Sequence, residues 1–178
     1  VTLLAGTVST VACPADGVAP TPPTVNDNCG RPLTVSGPVA SALPACSGDI
    51  TYTFTYTDCS GTTYTWTHTT TILPPTVTMP ANTVSTVACP ADAVAPTPPT
   101  VNDNCGRPLT VSGPVAGALP ACSGDITYTF TYTDCSGTTY TWTHTTTILP
   151  PTVTMPAGTV STVTCPADAV APPPPTVN

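Results

Sequence analysis

The chain has 178 residues, among them 25 Pro, 12 Gly, 9 Cys and 41 Thr, with no Lys, Glu or Gln. Helices draw chiefly on Ala, Leu, Lys, Glu and Gln, whereas Thr suits strands, so composition excludes a helical or α/β domain. Nine Asp against two Arg give a net charge of −7, which argues against a nucleic-acid partner. No apolar run approaches the roughly 18 residues of a membrane span, and no charged n-region leads into an apolar h-region.

The sequence repeats with a period of 76. CPADGVAPTPPTVNDNCGRPLTVSGPVA begins at Cys13, its near-copy begins at Cys89, and CPADAVAPPPPTVN opens again at Cys165. Residues 1–76 and 77–152 differ at five positions, 3/79, 4/80, 6/82, 17/93 and 41/117. The expected organisation is therefore two domains, 1–76 and 77–152, followed at 153–178 by the start of a third. A 76-residue unit is long for a solenoid repeat and suits a small β-domain with its own core.

Within a unit, Thr7–Ala12 reads as a first strand. Thr24-Val25 leads into a loop, Asn26-Asp27-Asn28-Cys29-Gly30. Leu33–Ser36 and Val39–Leu43 read as two further short strands, with Pro22, Pro23, Pro32, Pro38 and Pro44 confining their segments to edges and strand starts. Ile50–Thr57 alternates apolar residues with Thr, and the alternation resumes at Tyr64, Trp66, His68 and Ile72. A one-residue slip would set aromatics against threonines. The predicted register therefore pairs Tyr56 with Tyr64, Phe54 with Trp66 and Tyr52 with His68. It leaves Cys59-Ser60-Gly61 as a three-residue loop, with Gly61 in the left-handed position. All ten aromatic residues lie in this hairpin and its copy, so their face is the predicted core. The other face is a Thr lattice of Thr51, Thr53 and Thr55 against Thr63, Thr65 and Thr67. Leu73-Pro74-Pro75 ends the unit and stiffens the junction. Several short strands closed by an aromatic hairpin give the expected fold class: all-β, tandem immunoglobulin-like β-sandwiches.

CPAD, TPPTVNDNCG and ITYTFTYTDCSGTTYTWTHTTTI together resemble the hyalin-repeat (HYR-like) family of immunoglobulin-like domains, in particular the tandem copies in long surface adhesins of gliding, type IX-secreting bacteria. The resemblance covers essentially every residue of each unit. It implies secretion, a place on the bacterial cell surface, and assembly into a fibre.

The cysteines carry the main chemistry. Each unit has four, at positions 13, 29, 46 and 59 in the first. No Cys-x-x-Cys motif or Cys/His cluster suggests zinc, so disulfides and an oxidising compartment are expected. Cys46–Cys59 would have to bridge a strand about 26 Å long. In an immunoglobulin-like sandwich the Cys29 loop and the hairpin tip share one end, which favours Cys29–Cys59 and Cys13–Cys46, repeated as Cys105–Cys135 and Cys89–Cys122. One alternative stays open, a bond from Cys46 to Cys89 of the next unit.

Asp27 and Asp58, with Asp103 and Asp134, make a weak calcium site conceivable and are equally explained as caps of their own turns. No other cofactor is expected. His68 and His144 read as packed core histidines, and no nucleophile, base and acid come together, so no enzyme is expected. The expected function is a structural or adhesive segment of a surface fibre. The expected partners are neighbouring repeats of the same chain and, in a filament, further copies of itself. The alternative is a module binding glycan or ice through the Thr face or the Asp-rich loop end.

Overall fold

A computed structural model describes residues 4–177. The chain is all-β, with one four-stranded sheet in each repeat and no α-helix among the described residues. The tandem, disulfide-stapled, immunoglobulin-like architecture expected from the sequence is the one found.

In the first repeat the strands are β1 (Thr7–Val11), β2 (Thr34–Ala40), β3 (Gly48–Thr57) and β4 (Thr63–Ile72), in the order β1-β4-β3-β2. In the second they are β5 (Thr83–Val87), β6 (Thr110–Ala116), β7 (Gly124–Thr133) and β8 (Thr139–Ile148), in the order β5-β8-β7-β6. The hairpin register is the one that parity demanded: Tyr56 faces Tyr64, Phe54 faces Trp66, and Tyr52 faces His68. The Asp58 N–H donates to the Thr62 carbonyl at 3.0 Å, closing Cys59-Ser60-Gly61 as a three-residue loop with Gly61 at φ +85°. β1 joins the hairpin in parallel, Thr7 beside His68 and Val11 beside Ile72.

Where two short strands were expected around Pro38, a single strand runs from Thr34 to Ala40. It is an edge strand, which tolerates proline. The register slips by one residue between Ser36 and Val39, so Gly37-Pro38 forms a bulge within the strand. The slip has a consequence for packing. Val35 faces Tyr56 before it and Ala40 faces Tyr52 after it, so both ends of the strand meet the aromatic side of β3. Gly37 sits at φ +107°, and a Cβ there would lie 2.9 Å from the Thr53 carbonyl oxygen. Gly37→Ala is therefore expected to cost about 2 kcal/mol or more, from backbone strain plus the clash. A urea midpoint unchanged by this substitution, at constant m, would show that the bulge bears no strain.

The core lies on the aromatic face. Val25, Ile50, Tyr52, Phe54, Tyr56 and Trp66 are buried together in the first repeat. The layer opposite the sheet is extended chain, held by the Asn26–Pro32 bridge and by a 2.8 Å bond from the Leu33 N–H to the Val25 carbonyl. Prolines deny this layer the donors of a regular ladder, and side chains of the sheet tie it down instead. Tyr52 donates to the Gly17 carbonyl, Tyr56 to that of Pro23 at 2.7 Å, and Trp66 to that of Ala5 at 3.0 Å. These three buried aromatics thus place their polar tips on backbone carbonyls. The threonines of the opposite face are half-buried or exposed, with Thr51 and Thr69 hydroxyls 3.4 Å apart.

Candidate functional site: the junction between repeats

Cys13 is bonded to Cys105 and Cys46 to Cys135, each with a Cα–Cα distance of 5.5 Å. This corrects the expected pairs Cys13–Cys46, Cys29–Cys59, Cys89–Cys122 and Cys105–Cys135, and also the alternative Cys46–Cys89. The expected ends were right and the partners were not. Cys13 and Cys46 share one pole of the first repeat, and the copies of Cys29 and Cys59 share the opposite pole of the second. Stacking one repeat on the next brings these two poles together, so the bonds run between repeats. Cys29, Cys59, Cys89, Cys122 and Cys165 are free and exposed.

Polar contacts complete the junction. The Asn104 N–H donates to the Thr76 carbonyl at 2.9 Å, and the Thr76 N–H donates to Asn104 Oδ1 at 2.9 Å. Arg107 Nη1 donates to the Ala45 carbonyl at 2.7 Å, crossing from the second repeat to the first. Pro75 is buried here, whereas its copy Pro151 is exposed. Because the two repeats are nearly identical in sequence, such differences in burial mark what each pole touches. Arg31 exposes 60% of its side chain and its copy Arg107 28%; Asp27 exposes 9% and Asp103 2%.

The aspartates sit in their own turns. Asp27 accepts from the Cys29 and Arg31 N–H groups at 2.8 and 2.9 Å and from Arg31 Nε at 2.8 Å. Asp58 accepts from the Ser60 N–H, the Ser60 hydroxyl and the Thr62 N–H at 2.9, 2.6 and 2.9 Å, and from Tyr64 at 3.2 Å. Among the described residues no three His, Cys, Asp or Glu side chains gather as a metal site would require. The Arg31 backbone N–H holds the Asp27 carboxyl below its usual range, and the Ser60 hydroxyl does the same for Asp58. At Asp103 burial pushes upward, yet the backbone and side-chain donors of Arg107 outweigh it and the carboxyl is again lowered.

Groups lowered in the folded state stabilise it above their unfolded pKa, near 3.9, and that contribution is lost as pH falls through the folded value. The loops are therefore expected to hold at pH 4 and to loosen only below it. Amide shifts of Cys29 and Ser60 followed by NMR should titrate below the ordinary Asp range. A midpoint at or above that range would contradict the capping role.

The histidines are engaged on both ring nitrogens. His68 Nδ1 lies 2.7 Å from the Thr7 hydroxyl and Nε2 lies 2.9 Å from that of Ser9, and His144 repeats this with Thr83 and Ser85. The parallel pairing of β1 with β4 supplies these hydroxyls, which sequence reading did not foresee.

Two β-domains of one sequence, each with four equivalent cysteines and bonded pole to pole, define a tandem disulfide-linked β-domain protein. The chain belongs to the HYR-like domains with four cysteines, whose family model matches residues 1–72 and 77–148. HYR-like domains are typically extracellular, cell-surface modules. A comparison with curated proteins finds no match. No helix among the described residues is long and apolar enough to cross a membrane.

Proposed function

We propose that the chain is a load-bearing segment of a bacterial surface fibre. The observation that carries this reading is the double disulfide between consecutive repeats. A ligand-binding module needs a concave site, whereas a fibre needs neighbours that stay in register under tension. Two covalent bonds, a buried Pro75 and the Asn104–Thr76 and Arg107–Ala45 contacts fix one repeat against the next. Near-identical repeats with the same junction residues then repeat one geometry along the array.

The test is immunogold labelling of the producing cells with antibody raised against this chain. Gold should follow thin filaments leaving the cell surface. Label confined to the cell interior or to soluble protein in the medium would refute the fibre. Soluble label that binds a glycan array would favour the ligand-binding alternative.

A further inference from the structure

Each half of the central junction has a sequence copy at an outer pole of the pair of repeats. The lock joins Cys13 to Cys105 and Cys46 to Cys135. With a period of 76, Cys105 and Cys135 are the copies of Cys29 and Cys59. Likewise Cys13 and Cys46 have their copies in Cys89 and Cys122. All four of Cys29, Cys59, Cys89 and Cys122 are free and exposed. We infer that these two cysteine pairs are the complementary ends of one docking surface, each of which takes a further repeat of this same sequence through two disulfides.

Two observations beyond the cysteines point to this occupant. At the far pole of the second repeat, Ala88, Cys89, Leu149, Pro150, Pro151 and Thr152 line a hollow of about 320 Å³. Their copies in the first repeat, around Ala12, Cys13 and Thr76, receive Asn104 and Cys105. Cys105 Sγ lies 3.5 Å from the Ala12 carbonyl oxygen, and Asn104 bonds Thr76 on both sides. The hollow is therefore an unfilled seat for an Asn28-Cys29 loop. At the near pole of the first repeat, Arg31 Nη2 donates to Cys59 Sγ at 3.2 Å. In the docked copy Arg107 reaches the Ala45 carbonyl instead. The guanidinium thus rests on a free thiol when the pole is empty and latches the neighbour's backbone when it is filled.

Each new bond joins two thiols, which give up two protons and two electrons. A small disulfide such as oxidised glutathione accepts them by exchange and leaves as two thiols. The predicted bonds are Cys89 to Cys29 and Cys122 to Cys59 of the next molecule. This rests on the fibre reading and supplies the bonds that would propagate it.

The experiment uses two variants of the chain in a Cys165→Ser background, C29S/C59S and C89S/C122S, each with one pole disabled. With oxidised glutathione, each alone should stay monomeric, and a mixture should give a dimer that reductant dissolves. The unblocked chain should give a ladder in steps of 17.9 kDa. Residues 153–177 are exposed throughout and follow directly on Thr152, which lines the seat. The same set is therefore repeated on chains ending at Thr152. Peptide mapping should find Cys29 linked to Cys89 and Cys59 to Cys122. Bridges within a repeat, Cys29–Cys59 or Cys89–Cys122, or monomers from the mixture in both lengths, would overturn the inference. That failure leaves filament labelling on cells intact, and loss of filament labelling leaves the dimer intact, so the two readings fail separately.

Discussion

Replacing Cys13 and Cys46 together by serine is expected to uncouple the two repeats while leaving both sheets folded. The bonds span sequence separations of 92 and 89 residues. Loops of that length carry about 4.5 kcal/mol of chain-entropy stabilisation for the first bond closed. The second adds less, because the first has already shortened the loop that remains. The hydrophobic clusters do not share the lock: one is built from residues 25–66 and the other from residues 77–148. The sheet signal in circular dichroism should therefore persist at 25 °C. A loss of about 4 kcal/mol corresponds to a drop of roughly 8–16 °C in Tm for a chain of this size. Calorimetry without reductant should show it. C89S/C122S, which touches only free thiols, should leave Tm within a degree or two. Equal melting of the two double variants would mean that the inter-repeat bonds do not hold the repeats together.

The hairpin was legible in the sequence because its information is local. Alternation of Thr with aromatics fixes which face is buried, and parity together with Gly61 fixes the register, so Phe54 could meet only Trp66. The bulge at Gly37-Pro38 was less legible: a Gly-Pro pair reads as a break, and only the edge position of β2 lets the strand continue through it. The histidine partners were hidden because Thr7 and Ser9 meet His68 through a parallel pairing across some sixty residues. The disulfides were hidden for a different reason. In a period-76 sequence, Cys29 and Cys105 have the same neighbours, so local pattern carries nothing that distinguishes a bond within a repeat from one between repeats. Placing the cysteines at the correct poles narrowed the choice to those two. A folded chain of fewer than two repeats would have shown only the unpaired thiols.

Phe130→Ala is expected to unfold the second repeat selectively. Phe130 is 2% exposed and its ring centroid lies 5.6 Å from that of Trp142. Truncating a buried Phe costs about 3–5 kcal/mol. A unit of 76 residues has about 4–11 kcal/mol in all by the usual per-residue scale, so most of its stability goes. Phe54→Ala does the same in the first repeat, where Phe54 is also 2% exposed. Each repeat carries one tryptophan, Trp66 or Trp142, so fluorescence in urea separates them. Phe130→Ala should move about half of the signal to low urea and leave the rest near its original midpoint, with the covalent lock keeping the molten repeat tethered. Thr129→Ala, one residue away on the opposite face, should stay within about 0.5 kcal/mol of the parent. If Thr129→Ala proved as damaging as Phe130→Ala, the buried face would have been assigned to the wrong side of the sheet. If both tryptophans shifted together, the repeats would fold as one cooperative unit despite their separate cores.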